Sequence, residues 1–415
     1  MQYHQCPILF ASLRPSRSRG AKAGCQLPIA GRYPDMPRCY DAIVIGAGPS
    51  GTTTALRLAE AGLSVLLMER ERLPRDKPCG GGLTPKARGL LPVPVEDLVL
   101  NRANSVLVKV GSRLSTRFHS REAAIWMVRR RELDFRLAES AARRGAEIHD
   151  GEAFRSLELG AEVRVASEMD GYRCRVVVGA DGAESRVAAL LRVPRSRRMM
   201  VALEAEGEVE GDPLAGEAIV DLAVPGGYAW VFPKGDVYNV GLGSFDPRVA
   251  GELRPRFRRF LEETGLASAR LPAPIGHRIP TGPPPRRLHG ENALVVGDAA
   301  GVADPFFGEG ISHSLFTGEL AAKAVVDYLE GRSRDLSPYT RRVGDALTRE
   351  ARLWRATAAL VYRAPYLSLK VLAGSRRLRA EVERAIAGEV GLCQQWCRAD
   401  CGWEKPSAAG GRRGG

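Results

Sequence analysis

Short apolar runs separated by turn glycines set the plan of this chain. Residues 41–45 form an apolar, β-branched run that predicts a buried parallel strand. A helical pattern follows, with Ala55, Leu58, Ala59 and Gly62 on one face, and then a second apolar strand over residues 64–68 that ends at Glu69. Residues 128–144 predict a helix with Leu133, Leu137 and Ala141 on one side. Residues 173–178 and 293–296 are further buried strands, each running into a glycine turn. Segments 105–110, 114–118 and 198–245 instead alternate apolar and polar residues with turn glycines at Gly226, Gly227 and Gly235, the pattern of an antiparallel sheet. Helical patterns return over 312–329 and 339–390, the latter basic and apolar from 353 to 371.

The junction of the first strand and helix carries chemistry. Gly46, Ala47, Gly48 and Gly51 lie in a GxGxxG turn, where unpaired backbone N–H groups and the positive helix end face an anion. Glu69, closing the next strand, stands where an acid accepts both ribose hydroxyls of an adenosine, which excludes a 2′-phosphate. The site therefore suits FAD or NAD and not NADP. Gly179-Ala180-Asp181-Gly182 and Gly297-Asp298-Ala299-Ala300-Gly301 repeat the strand, turn and acid arrangement, and a helix begins near Gly310. A ligand touched from so many segments is long, which favours FAD.

The predicted fold is α/β: a Rossmann-type FAD-binding domain, an inserted antiparallel β-sheet substrate domain and a helical C-terminal region. The FAD-binding part spans 38–335 in pieces of about 38–100, 125–190 and 275–335, with the insert at about 101–124 and 191–274. Residues 336–400 are the helical region, 401–415 a disordered tail, and 1–37 a basic arm.

Composition narrows the class. The chain has 415 residues, 44% of them hydrophobic, enough for a sizeable core. No apolar run approaches the roughly 18 residues of a spanning helix. The net charge of +13 invites an anionic partner, whether a lipid surface, a diphosphate or nucleic acid. Part of it sits in the arm, where Arg14, Arg17, Arg19, Lys22 and Arg32 face only Asp35. That arm reads as disordered or as an over-extended start, with Met36 an alternative first residue and a basic targeting peptide the other reading. No nucleic-acid signature accompanies the charge. The 8 cysteines follow neither a zinc nor a secreted disulfide pattern, so the chain reads as cytosolic and reduced. Cys393, Cys397 and Cys401 would share a helical face but have no fourth metal ligand at useful spacing; no metal site is expected. The basic helices pack on the protein or lie peripherally on a bilayer.

Two stretches remain. Cys79 precedes Gly80, Gly81 and Gly82, and three adjacent glycines are entropically costly without side chains to pack, implying something flat against the backbone. Tyr228, Trp230 and Phe232 alternate along a strand and present three aromatics to one side, either a core stripe or an apolar wall for a long ligand.

Taken together, GAGPSG, Glu69, GADG and GDAAG resemble the flavoprotein class of aromatic hydroxylases, flavin halogenases and prenyl reductases, over about residues 38–335. KPCGGGL at 77–83, YAWVFPK at 228–234 and PFFGEGI at 305–311 resemble the geranylgeranyl reductase family, and the WxWxIP element of halogenases is absent. The resemblance implies FAD held by Gly46, Ala47, Gly48 and Gly51 at the pyrophosphate and by Glu69 at the ribose. It further implies Cys79, Gly80 and Gly82 at the flavin edge, Arg130 on the phosphates and backbone near Phe154 at the adenine. Asp181 joins the cofactor set, Asp298 meets the ribityl or phosphate region, and Gly310 and Ile311 meet the ring. The implied reaction is reduction of isolated C=C bonds in a polyprenyl chain, whether of a diphosphate, a prenylated lipid or menaquinone. Tyr228, Trp230 and Phe232 would line the channel, each contributing roughly 1.5–3 kcal/mol of burial. Cys79, Tyr228 or an ordered water would supply the proton. No second nucleotide unit is present, so NADPH or reduced ferredoxin would donate electrons transiently. The alternative functions are a FAD-dependent monooxygenase and a non-enzymatic flavoprotein scaffold.

Overall fold

A computed structural model describes residues 38–120, 125–196, 198–211 and 214–386. The N-terminal arm, the three C-terminal cysteines and the tail lie outside the described residues. In chain order, β1 (Cys39–Ile45), α1 (Pro49–Glu60) and β2 (Val65–Glu69) are followed by β3 (Gly82–Leu83), α2 (Pro85–Leu90), β4 (Asn101–Ala103), β5 (Ser105–Val110), β6 (Leu114–His119) and β7 (Ile125–Met127). Next come α3 (Arg130–Arg143), β8 (Glu147–Asp150), β9 (Phe154–Glu158), β10 (Val163–Ser167), β11 (Gly171–Gly179) and α4 (Arg186–Leu190). The chain continues through β12 (Arg198–Glu208), β13 (Ala218–Asp221), β14 (Gly227–Lys234), β15 (Val237–Ser244), α5 (Leu253–Glu263), β16 (Ile275–Thr281) and β17 (Ala293–Val295). It closes with α6 (Ile311–Leu329), α7 (Ser337–Arg363), α8 (Pro365–Gly374) and α9 (Arg376–Ile386).

The first sheet runs β8-β2-β1-β11-β10-β9, with β17 also pairing β11. Its β8, β2, β1, β11 and β17 pairings are parallel, so these strands must be covered on both faces, which explains their unbroken apolar runs. Ile43, Val44, Leu66, Leu67, Val177 and Val178 are fully enclosed. Helices α1, α3 and α6 supply much of the cover, and α1 approaches α6 so closely that a Cβ on Gly318 would sit 2.6 Å from the Ser50 carbonyl.

The second sheet runs β16-β12-β15-β14-β13-β5-β6 and is antiparallel apart from the β13–β5 pair. Its faces separate by alternation. Leu203, Ala205, Val231, Val240 and Leu242 pack with Phe257 and Phe260 of α5. Met200, Ala202, Tyr228 and Trp230 face the other way, toward Ala358, Val361 and Leu369 of α7 and α8.

Two boundaries expected from sequence shift. Residues 275–281 belong to the second sheet as β16, because their register with β12 continues its ladder. Residues 101–103 leave it for a small sheet, β3-β7-β4, that ties the Cys79 loop to the start of α3. The helix expected over 128–144 is confined to Arg130–Arg143, since the N-cap Arg129 is extended at φ −86° and ψ 134°.

Candidate active site

The GxGxxG turn is held by geometry that only glycine permits. Gly46 has φ +106°, and a Cβ there would lie 2.4 Å from the Ala180 carbonyl oxygen at the end of β11. A Cβ on Gly51 would lie 1.9 Å from the Gly46 oxygen. Gly48 is different: nothing stands within 4 Å of its Cβ direction, so the entrance to α1 is open. That helix has no side-chain cap and no acid in its first turn, which leaves its positive end uncompensated.

Glu69 is buried at the end of β2. Its Oε2 accepts the Ala47 N–H at 2.9 Å and contacts Arg75 Nη2 at 3.3 Å. Arg75, itself buried, reaches Asp134 Oδ2 at 2.9 Å, and Asp134 also binds Arg130 through two 2.9 Å contacts. The sequence reading missed Arg75 and Asp134, whose pairing spans two elements and has no local spacing. Arg130 also has the Cys79 side chain within its electrostatic reach. It shares a field with Lys77, Asp298 and His277.

Electrostatics mark this field as short of negative charge. Burial lowers the Lys77 pKa, and Arg130 lowers it further; Asp298 opposes them. Lys77 makes no ion pair among the described residues. Burial, aided by Lys77 and Arg130, takes His277 down to about 4, so it is neutral at pH 7. Burial raises Asp298, while the two cations hold it back. Gly310, the N-cap of α6, has its Cβ direction 3.4 Å from Asp298 Oδ1, and Ile311 begins the helix. An open helix start, two cations beside one acid whose pKa burial raises and a glycine-lined cradle fit a dinucleotide with a pyrophosphate.

Two cofactor candidates also have partners within the protein. The Asp181 carboxylate caps α4, with Oδ2 accepting from Arg186 N at 2.7 Å and Val187 N at 3.1 Å, and Oδ1 from the Ser185 hydroxyl at 2.5 Å. Its lone pairs serve the helix start. Phe154 opens β9 with its ring in the core, and its carbonyl accepts from Arg186 at 3.3 Å.

The glycine triplet also meets close contacts within the protein. A Cβ on Gly80 would meet the Phe232 ring at 2.8 Å, and one on Gly81, at φ +67°, would meet the Val128 oxygen at 2.1 Å. Within the protein, Gly80 thus lies against an aromatic side chain and Gly81 against a backbone carbonyl. On the same sheet face Tyr228, Trp230 and Phe232 do line up, with centroids 5.6 and 6.4 Å apart, and the row continues through Phe307 to Phe306, Trp354 and Tyr362. The Tyr228 hydroxyl donates to the Phe307 carbonyl, and burial drives its pKa far up, which makes it a poor acid.

Beneath Cys79 lies a polar cluster absent from the sequence reading. Glu204 Oε1 accepts the Cys79 N–H at 2.5 Å, Asn239 Oδ1 accepts from Trp230 Nε1 at 2.8 Å, and the enclosed Lys234 pairs with Glu206 at 2.5 Å. The alternation of β12 does place Glu204 and Glu206 on one face; only the pairing register shows that this face is the inner one.

The fold and site define a FAD-binding flavoprotein, and the FAD binding domain family matches residues 39–220. Geranylgeranyl diphosphate reductase of Rhodobacter capsulatus is 32% identical over 72% of this chain and 78% of its own length. Digeranylgeranylglycerophospholipid reductase 2 of Methanothermobacter thermautotrophicus is 33% identical over 75% and 86%. The chain belongs to the geranylgeranyl reductase family. A solved geranylgeranyl bacteriochlorophyll reductase-like protein of Thermoplasma acidophilum shares the fold, with TM-score 0.75, 21% identity and coverage of 87% of this chain and 99% of that one.

Proposed function

We propose that this protein is a FAD-dependent reductase that saturates isolated C=C bonds of a polyprenyl chain carried by a diphosphate, a glycerolipid or a quinone. FAD, when bound and reduced, would supply the hydride. The observation that carries the reading is the aromatic row from Phe232 to Phe307, an apolar wall beside the Cys79 turn with no charged side chain in the row.

In this reading the backbone of Gly46, Ala47, Gly48 and Gly51 receives the pyrophosphate and Glu69 the ribose. Lys77 and Arg130 face the phosphates, Asp298 the ribityl region, and backbone near Phe154 the adenine. Cys79, Gly80, Gly82, Gly310 and Ile311 border the ring. Tyr228, Trp230 and Phe232 align the greasy chain. Cys79 stands beside the reacting bond, and NADPH or reduced ferredoxin reduces the flavin. Mass spectrometry of lipids and quinones from a host expressing the protein tests the activity: prenyl chains two mass units heavier per reduced bond are expected, and are absent with a Gly46→Trp control. Identical lipid profiles in both would reject it.

No helix among the described residues is long and apolar enough to cross a membrane. The outer side of α7 and α8 nevertheless exposes Leu353, Leu360, Leu367 and Val371 at 65, 68, 60 and 50%. From 351 to 380 there is no Asp or Glu, while Arg352, Arg355, Arg363, Lys370, Arg376 and Arg377 are all exposed. Apolar ridges flanked by uncountered cations suit the surface of an anionic bilayer, and the inner side of the same helices touches Phe306 at the aromatic wall. The account therefore predicts peripheral binding through α7 and α8, delivering lipid substrate from the bilayer. Replacing Leu360 and Leu367 with Glu should cut sedimentation with phosphatidylglycerol vesicles by about tenfold or more while FAD content is unchanged. Equal sedimentation of both forms would contradict this.

A further inference from the structure

The sheet face that bears the aromatic wall also holds acids and bases, and its register fixes their order. Glu204 on β12 pairs with Gly241 on β15, which pairs with Trp230 on β14. Gly241 has no side chain, and the Trp230 ring fills the gap, 2.1 Å from where a Cβ would be. Glu204 and Trp230 are therefore neighbours across an empty position, and a carboxyl stands at the edge of an apolar wall. Its Oε1 is held by the Cys79 N–H, with Asn239 Nδ2 at 3.5 Å. Its Oε2 takes no protein hydrogen bond among the described residues, and it is not among the fully buried atoms left without partners.

We propose that Glu204 is the acid that protonates the alkene, a role that rests on the reductase reading above. The proton of the Glu204 carboxyl goes to one alkene carbon, using the π pair to form a C–H bond. The hydride of reduced flavin goes to the other carbon, so the flavin loses two electrons and the alkene gains two hydrogens. Glu204 is left as carboxylate and regains its proton from solvent.

The other proton carriers on this face are committed. The Tyr228 hydroxyl is bound to the Phe307 carbonyl. Lys234 is enclosed and paired with Glu206, which also faces Arg129. His277, next to Ala202 in register, is kept neutral. The Cys79 side chain receives the Gly81 N–H at 3.4 Å and lies in the field of Arg130. Glu204 differs, because its Oε2 takes no protein hydrogen bond among the described residues and burial raises its pKa. The Cys79 N–H, Asn239 and Lys234 pull the other way, and the Glu206 charge adds to the rise.

Glu204→Gln tests this in the full-length holoenzyme, since the amide oxygen still accepts the Cys79 N–H but the group carries no acidic proton. The expected result is wild-type FAD content and photoreduction, with anaerobic reoxidation by geranylgeranyl diphosphate or geranylgeranylated glycerophospholipid slowed by about 100-fold or more. In the wild type that rate should fall as pH rises and Glu204 ionises, and the variant should lose this dependence. Reoxidation of Glu204→Gln within about threefold of wild type would overturn the assignment. So would a wild-type rate that is flat from about pH 5 to about pH 9, whatever the variant does. Failure of the wild type with every prenyl probe would overturn the reductase reading, and this proposal with it.

Discussion

Gly48→Val should yield a folded but colourless protein, and Gly46→Val a colourless protein that is also destabilised. Nothing within 4 Å obstructs a side chain at Gly48, whose φ of −80° suits any residue. The fold should therefore survive, with about 1 kcal/mol lost at the helix start. The new side chain instead fills the space open to a pyrophosphate, and FAD affinity should fall by about 1000-fold or more. At Gly46 the strain is internal, because φ +106° is forbidden to a β-branched residue and its Cβ would collide with the Ala180 carbonyl. Relief requires β1 to part from β11 at the centre of the first sheet, costing about 3 kcal/mol or more. Flavin absorbance after gel filtration and thermal unfolding of the apoprotein separate the two effects. Normal flavin retention by Gly48→Val would show that the phosphates lie elsewhere.

Lys77→Met should weaken FAD binding while leaving the apoprotein at least as stable. The lowered pKa means that the folded apoprotein disfavours the ammonium relative to the unfolded chain. For a cation of depressed pKa the cost is present at neutral pH and disappears only as pH rises toward the unfolded value. Removing the charge removes that cost, and the apoprotein Tm should rise by about 1–3 °C. With FAD bound the ammonium gains an anionic partner, and a charge-assisted contact of about 1.5–3 kcal/mol corresponds to a loss of roughly 10-fold to 150-fold in affinity. The salt dependence of FAD binding should flatten as well. Titration calorimetry and thermal melts of the apoprotein check both signs, and a variant with lower apoprotein Tm and unchanged FAD affinity would assign Lys77 a structural role.

The parts of this site legible in sequence are those encoded locally. GAGPSG and its flanking apolar runs prescribe a strand, a turn and a helix within one stretch, and period-two alternation puts Tyr228, Trp230 and Phe232 on one face. Elements fixed by distant partners were not legible. The order β16-β12-β15-β14 decides that Glu204, Asn239 and His277 look inward with the aromatics, and no spacing in the chain states that order. For the same reason β16 was expected in the nucleotide-binding part. The approach of Gly80 to the Phe232 ring, about 150 residues away in the chain, was equally out of reach of local pattern. The capping of α4 by Asp181 was not read from sequence, although Ser185 follows at helix-capping distance.

The most direct test mixes anaerobically photoreduced holoenzyme with geranylgeranyl diphosphate or a geranylgeranylated glycerophospholipid, and follows flavin absorbance and product mass together. The account predicts return of the oxidised flavin spectrum without oxygen, in step with a product heavier by two hydrogens per reduced bond. A flavin that stays reduced with every prenyl compound, and is reoxidised only when oxygen is admitted with hydroxylation of another compound, would contradict it.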